Sequence, residues 1–140
     1  SEMCIRDRNK DKEKVLFIML NPSKADDKKD DPTVKRCICF AKNWGFGGLM
    51  IGNLFAYRTT YPKELFKTKN PVGKDNLKFL KRMIKNSNLT ICAWGNKQGL
   101  PPKYLRKITD LYYLKILSDG KTPGHPLRLK KDLKPQKFIF

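Results

Sequence analysis

Six consecutive apolar residues, Val15 to Leu20 (VLFIML), end abruptly at Asn21-Pro22-Ser23. A short unbroken run closed by turn residues suits a strand buried on both faces, as in a parallel sheet. Two more runs share the form: Leu49 to Ile51 before Gly52-Asn53, and Leu89 to Trp94 (LTICAW) before Gly95. Tyr113 to Leu117 reads as a fourth strand, followed by the turn Ser118-Asp119-Gly120. A strand buried on both faces needs a helix above it and another below.

The segments between the runs supply those helices. Asp31-Pro32 is a helix start, with Asp as N-cap and Pro as the first helical residue. Val34, Cys37, Ile38, Ala41 and Trp44 follow at helical spacing, until Gly45 and Gly47-Gly48 stop the helix. Asp75 to Asn86 is amphipathic, with Leu77, Leu80, Met83 and Ile84 on one face and lysines on the other. Pro101 or Pro102 opens a further helix carrying Tyr104, Leu105, Ile108 and Leu111, and Pro62 to Lys67 allows one helical turn. The tail beyond Leu129 reads as peripheral. Strands separated by helices predict right-handed βαβ units. The expected fold is α/β: a three-layer αβα sandwich on a mainly parallel four-stranded sheet, in spatial order 2-1-3-4.

The chain has 140 residues, enough for one domain, and 39% of them are hydrophobic, so a core can form. Its first eight residues, SEMCIRDR, match the translation of a mosaic-end adapter used in transposon-based library preparation. They are set aside as a scar, which leaves 9–140 as a single α/β domain lacking its original N-terminal segment. No apolar run approaches the roughly 18 to 20 residues needed to span a bilayer, so a transmembrane protein is excluded and a cytoplasmic one expected. Four cysteines, of which Cys4 falls in the scar, make no disulfide framework. Lys plus Arg is 31 against 13 Asp plus Glu, a formal charge of +18, which makes a polyanion partner plausible. Lys outnumbers Arg 24 to 7, however, and bidentate phosphate and base contacts lean on Arg. The charge therefore permits a nucleic-acid partner without requiring one.

Open parallel sheets bind ligands outside the carboxyl ends of their strands. The four expected strands lead to Asn21-Pro22-Ser23, Gly52-Asn53, Trp94-Gly95 and Gly124-His125-Pro126, which places all four groups on one edge. Asp26, Asp27, Asp30 and Asp31 crowd into six residues beside the first group. Asp31 caps a helix, with Thr33 in its first turn, whereas the alternative reading has Asp26 or Asp31 as general base or magnesium ligand beside Asn21. His125 is the only histidine and sits in a rigid Gly-His-Pro turn. Asn53 offers a paired donor and acceptor to a base edge, or simply closes its strand. Arg58 is a phosphate clamp or a surface ion-pair partner, and Phe55 and Tyr57 stack a base or pack the core. Trp94 reads as core. Cys37, Cys39 and Cys92 read as small buried apolar residues. One histidine and scattered cysteines give no metal spacing, and no P-loop, GxGxxG or nucleophile elbow is present, so neither metal nor cofactor is expected.

The series MLNPSKAD, DDPTVKRCICFAKNWGFGG, GNLFAYRTTYP, AWG and GHPLRL resembles the family of bacterial and phage proteins called domain of unknown function 1643, from Val15 to Leu129. That resemblance brings no established activity. The layout is more distantly similar to the uracil-DNA glycosylase superfamily, which implies the same three-layer fold with a parallel four-stranded sheet. In that superfamily a strand-end Asp-Pro or Asn-Pro loop positions the catalytic water, matched by Asn21-Pro22. A strand-end Asn reads the base, matched by Asn53; a Trp-Gly follows the third strand, matched by Trp94-Gly95; and a His-Pro loop is matched by His125-Pro126. Met19-Leu20 and Leu127 depart from the usual Gly and Ser. The resemblance implies a base-excising N-glycosidase with Asn21, Asp26 and His125 as catalytic residues. Ser23, Asp31, Thr33, Asn53, Phe55, Arg58, Gly95 and Arg128 would then form the binding surface for nucleic acid, DNA foremost, or a nucleotide. The alternatives are a non-catalytic nucleic-acid binding module and a hydrolase of a small modified nucleotide.

Overall fold

The computed structural model of the chain describes residues 2–4, 13–20, 32–54 and 74–140. Its centre is the first apolar run. Strand β2 (Lys14–Met19) pairs in parallel with β3 (Gly48–Asn53) on one side and β4 (Leu89–Cys92) on the other. Val15 to Ile18 are all 0% exposed, the condition that made an unbroken apolar run necessary there. Strand β5 (Tyr112–Tyr113) continues the parallel set beside β4. Two antiparallel strands finish the sheet, β1 (Glu2–Cys4) against β3 and β6 (Gln136–Lys137) against β5. The order is β1-β3-β2-β4-β5-β6.

Alternate residues of the central strands feed two separate cores, which makes the architecture three-layered. Val15, Phe17, Met19, Leu49 and Ile91 pack with Cys37, Phe40 and Ala41 of helix α1 (Pro32–Asn43). Leu16, Ile18, Met50 and Cys92 face the other way, against Leu80 and Ile84 of α2 (Lys74–Lys85) and Leu105 of α3 (Lys103–Arg106). Phe17, Phe40 and Trp44 form an aromatic cluster on the first face, with ring centroids 5.4–6.4 Å apart. On the second face Gly52 is the point of closest approach: a Cβ there would stand 2.8 Å from Leu80 Cδ2. Phe40, which the helical spacing did not single out, is 0% exposed and central to its core. Cys37 and Cys92 are buried as expected; Cys39 is only half-buried, because it lies two residues round the helix from Cys37.

Four expectations need correction. Among the described residues the sheet has six strands, not four, because short segments near both ends of the chain pair with its edges. One of them, β1, comes from the eight residues set aside as a scar. The fourth strand is not Tyr113 to Leu117 but Tyr112–Tyr113. Its neighbour β4 ends at Cys92, so residues 115–117 have no strand to continue along. They turn back as a hairpin instead: Leu117 N–H donates to the Thr122 carbonyl at 2.8 Å, Gly124 N–H donates to the Lys115 carbonyl at 2.8 Å, and Ile116 bridges Pro123. Helix α3 is a single turn, since Leu111 must already lie in the core beside β5.

The tail is not peripheral either. Three side chains of α1 and its end hold it by donating to its carbonyls: Arg36 Nη1 to Leu129 at 2.9 Å, Asn43 Nδ2 to Lys131 at 3.3 Å and Trp44 Nε1 to Leu133 at 3.1 Å. The chain then rounds the β5 edge, and Phe138 enters the opposite core while its N–H donates to the Leu111 carbonyl at 2.8 Å. A short, charged outer strand of this kind keeps the sheet edge from pairing with another chain.

Candidate functional site

The carboxyl ends of the parallel strands are built by residues that leave the sheet in controlled directions. Asn53 is the last residue of β3, paired in register with Met19 of β2. Its carbonyl accepts from Asn76 Nδ2 at 2.8 Å, which anchors the first turn of α2 to the strand end. Leu54 N–H donates to the Met19 carbonyl at 2.8 Å and Ala93 N–H to the Ile18 carbonyl at 2.9 Å, so β2 leaves the sheet flanked on both sides. Two inter-strand steps of about 4.8 Å separate the β3 and β4 ends, a span of about 10 Å.

Trp94 continues the line of β4, 0% exposed, and confirms its reading as core. At Gly95 the backbone changes hand. Gly95, Asn96 and Lys97 have φ of 61°, 53° and 55°, three consecutive left-handed residues closed by Gln98 N–H donating to the Gly95 carbonyl at 3.1 Å. Outside Gly such a conformation costs about 1–2 kcal/mol per residue, least for Asn, and it persists only where surrounding structure enforces it.

A chain of hydrogen bonds does so. Trp94 Nε1 donates to the Gly99 carbonyl at 3.0 Å, and Gly99 N–H donates to Thr122 Oγ1 at 2.8 Å. The Thr122 hydroxyl donates in turn to Asp119 Oδ2, and Asp119 Oδ1 accepts from the N–H groups of Thr122 and Lys121 at 2.9 and 3.0 Å. The Thr122 side-chain bond, followed by the backbone donors of Thr122 and Lys121, holds the Asp119 carboxyl down at about 2. Nearby, burial pushes the Cys92 thiol up, which keeps it protonated and unreactive.

Gly95 and His125 meet. Gly95 N–H donates to the Pro123 carbonyl at 2.9 Å, and a Cβ on Gly95 would lie 3.3 Å from His125 Cβ. His125 is half-buried and caps the 3-10 turn Pro126–Arg128, its Nδ1 accepting from Leu127 N–H at 3.2 Å. With Nδ1 as acceptor, the proton of the neutral ring belongs on Nε2, so the imidazole is set as a hydrogen-bond donor there. The Pro126–Arg128 turn packs on α1, the helix that Thr33 enters in a half-buried position; Arg128 itself is exposed.

Of the residues expected to form a site, the structure thus brings Gly95 and His125 into contact, sets Asn53 two strands away along the same edge, and puts Thr33 and Arg128 on the α1 side. Asn21, Ser23, Asp26, Asp31, Phe55 and Arg58 lie outside the described residues. Sequence reading missed Asn96, Lys97, Asp119 and Thr122, which shape the edge. The Gly95-Asn96 dipeptide carried the signal, since both residues tolerate the left-handed region. No helix among the described residues is long and apolar enough to cross a membrane.

No curated protein and no solved structure matches the chain, so the likeness to uracil-DNA glycosylases draws no support from known folds. The family model described as "Protein of unknown function (DUF1643)" matches residues 4–127. That match covers the strands β2 to β5, the three helices and the Gly95–His125 contact alike, and the chain belongs to the DUF1643 family.

Proposed function

We propose that this protein binds nucleic acid or a nucleotide at the carboxyl edge of its parallel sheet, and that its chemistry there is removal of a base by N-glycosidic hydrolysis. The observation that carries the reading is the close approach of Gly95 and His125 beside a strained left-handed turn, with His125 Nδ1 accepting from Leu127 N–H so that the neutral ring carries its proton on Nε2. Strain held at a loop by a dedicated hydrogen-bond chain is costly unless the loop has work to do. The formal charge of +18 suits a polyanionic partner.

In this reading a base leaves the stack, is held by the Asn53 amide and stacks on Phe55. Asn21 orients a water whose oxygen bonds to the sugar C1′ as the C1′–N bond breaks, while Asp26 takes the water's proton. The departing base keeps the electron pair, and the His125 N–H stabilises the charge developing on it. Ser23, Asp31, Thr33, Arg58, Gly95 and Arg128 contribute to binding. The same surface without the chemistry is a binding module, and with a smaller substrate it is a hydrolase of modified nucleotides.

The test is base release from oligonucleotides carrying damaged or modified bases, measured for wild type, Asn21→Ala and His125→Ala. Each substitution is expected to slow release by at least about 10²-fold, the scale on which positioned polar groups act. Affinity should persist, because phosphate contacts dominate it. Wild-type protein that binds but releases no base favours the binding module. Wild-type protein that binds neither oligonucleotide nor nucleotide removes the proposal.

A further inference from the structure

The outer face of α2 carries a feature that the sheet edge does not use. From Asn76 to Lys85 the helix holds Lys78, Lys81, Arg82 and Lys85 and no carboxylate. All four cations are exposed. Their spacing puts them on one stripe, where like charges at three and four residues repel one another and weaken the helix. On the flank of the stripe, beside Arg82, stands Phe79, 55% exposed, with Arg82 Cζ 5.8 Å from the centre of its ring. A large aromatic left more than half exposed beside these cations adds little to the core.

We infer that this face is a docking surface for single-stranded nucleic acid, with Phe79 stacking one base and Lys78, Lys81, Arg82 and Lys85 following the phosphates. The inference deepens the proposed function and rests on it, by naming where the strand runs before it reaches the sheet edge. Charge complementarity selects a polyanion, and the aromatic adds what a bare polyanion would not need, a platform for a base. The helix is also correctly placed: Asn76, in its first turn, bonds to Asn53 at the strand end, so the stripe begins at the proposed site and leads away from it. A membrane surface is the weaker match. The apolar side of α2, with Leu80 and Ile84, is buried in the protein core and out of reach of lipid, leaving one phenyl ring to insert.

The decisive measurement is fluorescence anisotropy with two labelled oligomers of equal length and charge, one of deoxythymidine and one abasic. Wild type should bind the thymidine oligomer about tenfold more tightly, the scale of one base–aromatic stack. Phe79→Ala should erase that preference while leaving affinity for the abasic oligomer unchanged. The double substitution Lys81→Glu, Arg82→Glu should weaken both and lower the dependence of log affinity on log salt by about 2, one for each phosphate that loses its cation. These positions are exposed, so melting temperatures should stay within a few degrees and report intact folding. Variants that bind thymidine oligomers like wild type would overturn the assignment to α2 while leaving nucleic-acid binding in place elsewhere. Wild-type protein that binds neither oligomer would overturn both readings. Phe79-dependent binding to phosphatidylserine vesicles, tighter than to either oligomer, would reassign the face to membranes and overturn this one.

Discussion

Lys97 holds a backbone conformation that its side chain does not favour. Asn96, at φ 53°, is a residue type that visits this region, whereas Lys97, at φ 55°, has no such excuse. Lys97→Gly should therefore stabilise the protein by about 1 kcal/mol, less whatever Gly costs the unfolded chain in entropy. Lys97→Val should destabilise it, because a β-branched residue tolerates positive φ least. Thermal melts of both variants check the pair, and equal melting temperatures would show that the turn relaxes without strain. Asp119 gives a second test at this scale. Its folded-state value of about 2 lies below the ordinary carboxylate range, so its contribution to stability is complete above that range. It is lost as pH falls from about 4 toward 2, when protonation removes the acceptor of the Thr122 and Lys121 donors. Denaturant titrations across that window should show wild type losing stability that Asp119→Asn has already lost at neutral pH. Curves that stay parallel throughout would mean the bonds to Asp119 contribute nothing.

At the scale of elements, two contacts decide how the layers and edges close. Helix α2 reaches its depth on β3 because Gly52 has no side chain, with Leu80 Cδ2 occupying the space a Cβ would need. Leu80 is 0% exposed and cannot swing aside into solvent, so Gly52→Ala should cost about 1–3 kcal/mol by overpacking. Pairing it with Leu80→Val should recover part of that cost, and equilibrium unfolding of the two single variants and the double measures the coupling. The far edge depends on Phe138, 8% exposed and tilted against Tyr113 at 4.7 Å between ring centroids. Phe138→Ala should cost about 3 kcal/mol and free β6 from β5. Hydrogen exchange should then accelerate at the Phe138-position amide bonded to Leu111, while amides of β2, paired on both sides, stay protected. The ion pair at this edge, Lys137 with Asp110 at 3.5 Å, joins two exposed side chains and should contribute little.

Taken whole, the molecule is a strongly basic body whose shape and charge are separately arranged. The two cores fix the sheet between its helices, and the described lysines, the half-buried Lys14 apart, are exposed. A molecule at +18 should bind polyanions with a steep dependence on salt, since each phosphate contact releases counterions. Affinity for a thymidine oligomer measured between about 50 and 200 mM salt should fall by orders of magnitude if six or more phosphates are contacted. A flat profile would reduce the lysine excess to composition without a partner.

The α/β class and the pairing of β2 with buried neighbours were legible because burial on both faces leaves a direct mark: Val15 to Leu20 has no polar residue to place in water. Helices α1 and α2 were legible for a related reason, since a helix with one buried face repeats its apolar residues at a period the eye can follow. Asn53, at the end of β3, and Gly95, just past β4, were legible from where the apolar runs stop, whereas His125 follows a hairpin and not a strand, and its approach to Gly95 was not legible. What only the tertiary structure decided is where short segments go when their local signal is weak. Gln136–Lys137 carries two polar residues and no pattern, yet becomes a strand because α1 guides the tail to the open side of β5. Tyr113 to Leu117 carries a good strand pattern, yet yields most of it to a hairpin because β4 has ended. The left-handed turn at Gly95–Lys97 is likewise imposed from outside, by Thr122 and Asp119 more than twenty residues away. Periodicity records what a segment buries along its own length; partners distant in the chain act through hydrogen bonds and edges that leave no period to read.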